Sequence, residues 1–345
     1  MLKLKFLLKY LKSDFLLWLG SFCEISFSIF ILCYAVYPNV WTLSLIVLGV
    51  LGVIFNNQDI FVYHPTEPPE SKVYIELPSI YNLPYEKVDI ITSDSIRLHS
   101  YLIKQQNDIA LNVPTLVMFH GNAGNIGQRL CIAHYIYHYC VCNILLVEYR
   151  GYGLSEGTPS ENGFYKDAEA SINHLLSRND INTNKIIPYG QSIGGAVVVD
   201  LARKFNDKLH AFIVENTFTS LPEIGKELFG SIPGIFYVPE IFFKNQYQSI
   251  KKIKDITIPG LFISGLSDTM IPPRMMQSLF DRSNSRMKRM LQIKEGNHND
   301  TWLCAGYFQF MLKFLQEVSS NQFDNNIQNA SNSQVWFVNT RAAQA

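Results

Sequence analysis

The sequence lacks an excess of charge of either sign. Its 29 basic and 29 acidic residues give a formal net charge of zero over 345 residues, which leaves no basis for long-range attraction to nucleic acid or to an acidic substrate. It also lacks the H-E-x-x-H, P-loop and dinucleotide-binding motifs. We therefore expect no metal and no other cofactor, and a neutral or apolar ligand.

The six cysteines show no C-x-x-C pair and no zinc-like spacing, and two of them, Cys23 and Cys33, lie in the apolar N-terminus. For the other four, a disulfide and buried free thiols both remain open. These four are Cys131, Cys140, Cys142 and Cys304.

A long apolar stretch follows a basic N-terminus. Residues 1–14 contain four lysines, residues 15–55 are almost wholly apolar, and no charged residue occurs from Ile25 to Phe55. About 20 apolar residues span a bilayer, and the small-residue cleavage site of a signal peptide does not stand out. Residues 15–55 therefore predict an uncleaved transmembrane anchor, with the lipid bilayer as a partner.

Two membrane topologies are possible for this anchor, because Pro38 and Asn39 divide the apolar residues 15–55 into two pieces. A single span is favoured over a two-helix hairpin, since the second piece has only 16 residues, Val40 to Phe55. The lysines would then keep residues 1–14 in the cytosol and make the protein type II, with a lumenal or extracellular domain. A hairpin would return that domain to the cytosol.

The rest of the chain predicts one large α/β domain. Residues 56–84 are rich in proline and polar side chains and predict a linker. In residues 85–318, apolar runs alternate with helical patterns, which predicts a mostly parallel, eight-stranded sheet with helices on both faces. Residues 219–250 interrupt this alternation and predict a small cap insertion. Residues 319–345, rich in Asn, Gln and Ser, predict a disordered tail.

The eight strands are predicted at EKVDIIT, RLHSYLI, PTLVMFHG, NILLVEYRG, KIIPYG, HAFIVENTF, IPGLFISG and RMLQIKEG. Helices are predicted to begin near Gly127, Phe164 and Ile193, with another around Met275.

A serine lies between glycines where the fifth predicted strand meets a helix, in the sequence G-Q-S-I-G. The glycines supply the space and the backbone angles that a sharp strand-to-helix turn requires. Ser192 is then placed at the carboxyl end of a parallel strand and at a helix N-terminus, where backbone N–H groups stabilise negative charge. Serine also caps helices without any catalytic role. The pattern favours Ser192 as a nucleophile.

A nucleophilic serine needs a histidine base and a carboxylate that orients it, and in this kind of sheet the order along the chain is Ser, acid, His. Asp268 follows the next-to-last predicted strand and His298 follows the last one. Both are expected at the sheet edge that carries Ser192. Glu215, after the preceding strand, is a rival acid that is less favoured than Asp268.

The oxyanion of an acyl-transfer reaction needs two backbone donors. The N–H of Ile193 is one candidate, and the loop FHGNAGNIGQR after the third strand offers the other, at Asn122. Gly121 and Gly124 allow this loop to approach closely. His120 is expected to be a structural part of the loop.

The motifs together resemble the α/β-hydrolase superfamily and, within it, the membrane-anchored α/β-hydrolase domain-containing serine hydrolases. The resemblance runs to about residue 318 and implies Ser192 as nucleophile, Asp268 as acid and His298 as base. It also implies a type II topology and glycosylation at Asn299, the first residue of one of two N-x-S/T sequons; the other begins at Asn329. The motifs are FHGNAGN, EYRGYGLSEGTPSE, YGQSIGGAV, VENTFTSL, SGLSDTMIPP and EGNHNDTW.

These features predict a serine hydrolase that cleaves an ester, thioester or amide through an acyl-enzyme, on a lipid-like or lipidated acyl substrate. The loop HGNAGN departs from the HGGG pattern of many lipases. The alternatives are a serine peptidase and a non-catalytic, membrane-anchored binding protein. The aromatic residues of the insertion either line an acyl pocket or only pack on the sheet; they include Phe229, Phe236, Tyr237, Phe242 and Phe243.

Overall fold

The computed structural model describes residues 29, 32, 34–106, 108–228, 230, 235–320 and 333–339. These residues form two units. The first contains the residues up to Val62 together with those of Lys226–Asn245, and the second contains those of Tyr63–Gly225 and the residues from Gln246 onward.

The second unit contains a nine-stranded sheet with the order β1-β2-β4-β3-β5-β6-β7-β8-β9. The pairs β1–β2 and β2–β4 are antiparallel, and all other pairs are parallel. The predicted mostly parallel sheet is confirmed. The strands are β1 Tyr85–Ile91, β2 Arg97–Ile103, β3 Thr115–Phe119, β4 Asn143–Val147, β5 Ile186–Gln191, β6 Phe212–Glu215, β7 Gly260–Gly265, β8 Lys288–Ile293 and β9 Ser333–Val338.

The helices of the second unit cover both faces of the sheet, as predicted. Across the described residues, the α-helices are α1 Val40–Asn56, α2 Asp59–Val62, α3 Ile109–Asn112, α4 Leu130–Tyr135, α5 Glu161–Leu176, α6 Ile193–Lys204, α7 Leu221–Leu228, α8 Ser249–Lys252, α9 Pro273–Arg282 and α10 Tyr307–Ser319. Short 3₁₀ turns lie at Pro69–Lys72, Pro78–Tyr81, Ile126–Arg129, Thr183–Lys185, Ile235–Tyr237, Glu240–Phe242, Ile253–Asp255 and Thr301–Leu303, and a π-helical turn lies at Ile136–Cys140.

The core follows from the continuous apolar runs of the central strands. Every residue of β3, β4, β5 and β7 is buried, as expected when both faces of a parallel sheet are covered. Alternate side chains such as Leu116 and Met118 join the residues of α4 and α10 in one large cluster. Helix α6 packs on strands β5 and β6, and helix α5 packs on α6. Each large apolar side chain buried in this way contributes about 1.5–3 kcal/mol.

The predicted strand number is wrong, and the predicted disorder of residues 319–345 is wrong for residues 333–338, because these residues form β9. This strand pairs in parallel with β8 along its whole length. Its Trp336 is only 8% exposed and stacks on Phe310 with ring centroids 5.1 Å apart. The segment S-Q-V-W-F-V contains only four consecutive apolar residues, which is too short a run to stand out from the polar residues around it. Residues 321–332 and 340–345 lie outside the described residues.

The predicted linker is also wrong from Tyr63 onward, since this segment is part of the second unit. Tyr63 and Ser71 are buried. The Asn125 side chain, in the loop after β3, donates to the carbonyl oxygens of Ser71 (3.0 Å) and Tyr74 (2.9 Å). The prolines therefore form packed turns here. They do not form an extended spacer.

The first unit contains α1, which begins directly after the predicted division at Pro38 and Asn39. The Asn39 Oδ1 atom accepts hydrogen bonds of 3.0 Å from the N–H groups of Trp41 and Thr42, so Asn39 is the helix N-cap. Within the part of the chain that the structure describes, no helix is both long enough and apolar enough to cross a bilayer. Residues 1–28, which include the basic N-terminus and part of the predicted anchor, lie outside that part.

The predicted cap insertion, residues 219–250, is divided between the two units. Its middle, Lys226–Asn245, belongs to the first unit, and its two ends belong to the second. The aromatic side chains of Phe236, Tyr237 and Phe242 are exposed. Phe229 lies outside the described residues.

Candidate active site

Ser192 occupies a sharp turn between β5 and α6. Its φ of +57° and ψ of −122° form a conformation that costs a non-glycine residue about 1–3 kcal/mol. The turn is held by two hydrogen bonds: Ser192 N–H donates to the Glu215 carbonyl (2.9 Å), and the Thr217 hydroxyl donates to the Ser192 carbonyl (2.6 Å). Strain maintained by its surroundings is a feature of functional sites.

The glycines around Ser192 are required by close backbone approach. A Cβ atom on Gly190 would lie 2.2 Å from the Gly194 carbonyl oxygen, and one on Gly194 would lie 2.1 Å from the Phe119 carbonyl oxygen. A Cβ atom on Gly195 would lie 2.6 Å from the Thr217 Cβ. The strand, the turn and the helix therefore pack backbone against backbone, as the sequence analysis expected.

Ser192, His298 and Asp268 form a continuous hydrogen-bonded chain. The Ser192 Oγ atom lies 3.1 Å from His298 Nε2, and His298 Nδ1 lies 2.7 Å from Asp268 Oδ2. Because a carboxylate oxygen accepts, Nδ1 carries the proton and Nε2 presents its lone pair to the serine hydroxyl. All three residues are buried.

The loop that carries His298 is fixed through its backbone carbonyl. The Gln191 side chain donates to the His298 carbonyl oxygen at 2.8 Å, and the Asn216 side chain donates to it at 3.2 Å. Asn216 Oδ1 in turn accepts from Gly265 N–H at 2.8 Å, which joins the ends of β6 and β7 to the histidine loop. The sequence patterns do not single out Asn216. Its position directly after a buried strand was the available signal.

Among the described residues, the Glu215 side chain makes no hydrogen bond to His298. Its fully buried carboxyl group accepts hydrogen bonds through Oε2 from the hydroxyls of Tyr189 (2.7 Å) and Tyr307 (2.5 Å). Burial raises the pKa of this carboxyl group. The structure therefore pairs His298 with Asp268, whereas the rival acid is hydrogen-bonded to two tyrosines.

The loop after β3 approaches Ser192 closely. A Cβ atom on Gly121 would lie 3.6 Å from Ser192 Cβ. The Tyr152 hydroxyl donates to both the carbonyl oxygen (2.8 Å) and the side-chain Oδ1 (2.9 Å) of Asn122, which fixes the loop at the predicted donor. Ile193 is the first residue of α6, where a backbone N–H has no acceptor within the helix.

His120 uses both ring nitrogens within its own surroundings. Nδ1 lies 2.7 Å from the Gly121 carbonyl oxygen, and Nε2 lies 3.0 Å from Glu148 Oε1. Glu148 Oε2 accepts from Ile126 N–H at 3.1 Å. No ring nitrogen of His120 is left for Ser192, so this histidine supports the loop.

A cavity of about 40 Å³ opens beside the residues that flank Ser192 and His298 in sequence. Gln191, Asn299, Trp302 and His120 line it, together with Arg129. Among the described residues, no group of three or more His, Cys, Asp or Glu side chains could hold a metal ion. Cys131, Cys140 and Cys142 carry free thiols, while Cys23 and Cys33 lie outside the described residues.

The chain is similar in sequence to known proteins. The family model of the alpha/beta hydrolase fold matches residues 114–237. Protein bem46 of Schizosaccharomyces pombe is 38% identical over 80% of this chain and 91% of its own length. The alpha/beta hydrolase domain-containing protein WAV2 of Arabidopsis thaliana is 36% identical over 79% of this chain and 92% of its own length. The chain belongs to the α/β-hydrolase family.

Further comparisons agree with the α/β-hydrolase assignment. The uncharacterized membrane protein YNL320W of Saccharomyces cerevisiae is 31% identical over 80% of this chain and 98% of its own length. The esterase Pf2001 of Pyrococcus furiosus superposes with a TM-score of 0.59 at 17% identity, over 71% of this chain and 96% of the esterase, which shows the shared fold. These relatives are consistent with the likeness of the motifs to α/β-hydrolase domain-containing protein 13. Family and fold together support a hydrolase.

Proposed function

We propose that the protein is a serine hydrolase that cleaves an ester, thioester or amide through an acyl-enzyme. One observation carries the proposal: Ser192 Oγ lies 3.1 Å from His298 Nε2, and the opposite nitrogen of the same ring lies 2.7 Å from Asp268. This is hydrogen-bond reach for a nucleophile, its base and the group that orients the base.

In the proposed reaction, Ser192 Oγ attacks the substrate carbonyl carbon while His298 Nε2 accepts the serine proton. The carbonyl oxygen becomes negatively charged and receives hydrogen bonds from the backbone N–H groups of Ile193 and Asn122. The imidazolium then protonates the leaving group, which departs and leaves the acyl group on Ser192. Water, activated by His298, attacks the acyl-enzyme and releases the acid. Asp268 holds the imidazole in the required tautomer and stabilises its charged form.

We further propose that the enzyme is anchored in a membrane as a single-pass type II protein and acts on a lipid-like or lipidated substrate. The apolar sequence of residues 15–55 supports the anchor. Within the first unit, the Gln58 side chain, just beyond α1, donates to the Phe242 carbonyl (2.6 Å) and accepts from Lys244 N–H (2.9 Å). This contact holds the exposed aromatic turns of the insertion beside the end of α1, where a bilayer surface would cover them.

The hydrolase proposal is tested by labelling the full-length protein in membranes with a neutral alkyl fluorophosphonate. Serine hydrolases react through Ser Oγ, which bonds to phosphorus as fluoride leaves. We expect labelling of the wild type and none of Ser192→Ala or His298→Ala. The matched controls Ser278→Ala and His138→Ala change exposed residues and should label like the wild type. A folded wild type that resists the reagent, or labelling that survives in Ser192→Ala, would refute the proposal and favour a binding protein.

The topology is tested at Asn299, whose side chain is exposed. A lumenal domain allows glycosylation of this sequon, so a glycosidase should increase the gel mobility of the wild type, and Asn299→Gln should reduce that shift. The other sequon, at Asn329, lies outside the described residues. A protein extracted by alkaline carbonate would contradict the anchor. An anchored protein without any glycosidase-sensitive shift would favour the hairpin and a cytosolic domain.

A further inference from the structure

Arg129 is a half-buried cation in the turn that follows the loop after β3. Its Nη2 atom donates to the Ala123 carbonyl oxygen at 2.9 Å. Its Nε atom is buried and has no hydrogen-bond partner among the residues that the structure describes. A guanidinium has five N–H donors, and a buried donor without an acceptor costs about 1–3 kcal/mol. Burial accordingly lowers the pKa of the Arg129 guanidinium.

The buried carboxyl groups of Glu148 and Glu215 make no hydrogen bond to Arg129. Both oxygens of Glu148 are used, one by His120 and the other by the N–H of Ile126. Glu215 keeps its proton to higher pH because burial raises its pKa, and Tyr189 and Tyr307 already donate to it. No ion pair joins Arg129 to a carboxylate in the described part of the chain.

Arg129 lines the cavity beside the candidate active site, together with Gln191 and Asn299. Gln191 directly precedes Ser192 and Asn299 directly follows His298. The cavity, of about 40 Å³, has room for a small group and not for an acyl chain. A cation in such a narrow space is well suited to a planar or tetrahedral group of anionic oxygens, which the guanidinium fork binds through paired hydrogen bonds.

We propose that Arg129 binds a negatively charged oxygen group, a carboxylate or a phosphate, that the acyl substrate carries close to its scissile carbonyl. This inference rests on the proposed serine hydrolase and assigns its substrate class: an anionic acyl compound. The simpler alternative is that Arg129 only fixes the Ala123 carbonyl and so supports the loop after β3. If Arg129 binds the anion, the enzyme should prefer anionic to neutral ligands, and this preference should depend on Arg129. If Arg129 only supports the loop, its substitution should affect anionic and neutral ligands alike.

The test uses short alkyl fluorophosphonates with two to six methylenes that end in a carboxylate, in a phosphate or in the neutral methyl ester of the carboxylate. In each case the Ser192 Oγ atom bonds to phosphorus, His298 takes the serine proton and fluoride leaves. The quantity measured is the second-order labelling rate constant of the full-length protein, expressed as the ratio of the anionic to the neutral reagent. The ratio cancels general effects of a substitution on the reacting serine.

We expect a wild-type ratio of at least about tenfold for the best chain length, as for a hydrogen bond to a charged group. Arg129→Met should reduce the ratio to about one, and Arg129→Lys, which retains the charge, should keep part of it. The matched control Arg282→Met changes an exposed arginine and should keep the wild-type ratio. The better of the two anionic reagents identifies the carboxylate or the phosphate.

A wild-type ratio of one or below at every chain length would overturn the inference and leave the hydrolase proposal intact. A ratio that is unchanged in Arg129→Met would do the same and would assign Arg129 to loop support. If none of the three kinds of reagent labelled the wild type, the hydrolase proposal itself would fail, and this inference would fail with it.

Discussion

The Asp268 carboxylate lies 2.7 Å from His298 Nδ1 and is held from its other side by the chain that follows it. Its Oδ1 atom accepts from the N–H groups of Met270 (2.8 Å) and Ile271 (2.9 Å), while Oδ2 faces the histidine. Both oxygens therefore have hydrogen-bond partners, and Oδ2 orients the imidazole ring so that Nε2 faces Ser192. Preorganisation of this kind is what a general base requires.

Asp268→Asn should lower kcat by about four orders of magnitude, because an amide can donate to Nδ1 and stabilise the wrong tautomer. The measurement is steady-state hydrolysis of an activated ester by the full-length protein. The control Asp281→Asn changes an exposed helix residue and should leave kcat unchanged.

For Glu215, the rival acid, we expect only a small loss of kcat. Glu215→Gln preserves the shape of the side chain and an oxygen that can accept from Tyr189, so we expect less than about a tenfold loss of kcat. A collapse of activity in Glu215→Gln together with mild effects in Asp268→Asn would reverse the assignment of the acid.

Gly194→Ala should destabilise the protein by about 3 kcal/mol or more, because the added methyl group would meet the Phe119 carbonyl oxygen at 2.1 Å. Neither backbone can move without displacing β3 or the turn at Ser192. Chemical denaturation in detergent measures the change. Gly52→Ala, at a position with open space around the Cβ site, is the matched control and should not destabilise. A wild-type denaturation midpoint for Gly194→Ala would show that the backbone contact is dispensable.

The sequence was informative where chemistry demands particular residue types at particular strand ends. All eight predicted strands are present, because continuous Val, Ile and Leu runs between turn signals have few alternative structures in a covered parallel sheet. The pairing of Asp268 with His298 followed from the order of residues along such a sheet.

The parts that the sequence did not predict depend on tertiary contacts without a local signature. β9 is a strand only because the edge of β8 accepts it and Trp336 packs on Phe310. Asn125 holds the turns after Tyr63 through side-chain hydrogen bonds between residues far apart in the chain. Arg129 has an ordinary helical position in the sequence, and the burial of its Nε atom and its place in the lining of a cavity become visible only in the fold.

Asp94 should make folding sensitive to acid. The Arg150 guanidinium beside it donates to both carboxylate oxygens (2.9 and 3.0 Å) and holds the pKa of Asp94 well below its usual range. A depressed pKa in the folded state stabilises the protein above the unfolded pKa of about 4, and this stabilisation is lost as the pH falls below that value.

Asp94→Asn should therefore reduce the free energy of unfolding at pH 7 by about 0.5–1 kcal/mol, a small value because the carboxylate is partly exposed to solvent. The difference in the free energy of unfolding between Asp94→Asn and the wild type should become smaller between pH 4 and pH 3. Denaturation at each pH measures it. Asp207→Asn, at an exposed carboxylate, is the control. A difference that stays constant from pH 7 to pH 3 would show that Asp94 acts through packing and not through its charge.

Tyr152 is a positioning residue for the predicted oxyanion donor Asn122, since its hydroxyl donates to both the carbonyl oxygen and Oδ1 of that residue. Tyr152→Phe removes these hydrogen bonds and keeps the ring, so the loop after β3 should lose its fixed direction. We expect kcat to fall by about tenfold, less than the hundred- to thousandfold loss when an oxyanion donor itself is removed, while KM changes little. Hydrolysis of an activated ester gives both constants, and Tyr139→Phe, at an exposed tyrosine, is the control. A change in KM alone would instead place the Tyr152 hydroxyl in substrate binding, because loss of transition-state stabilisation lowers kcat.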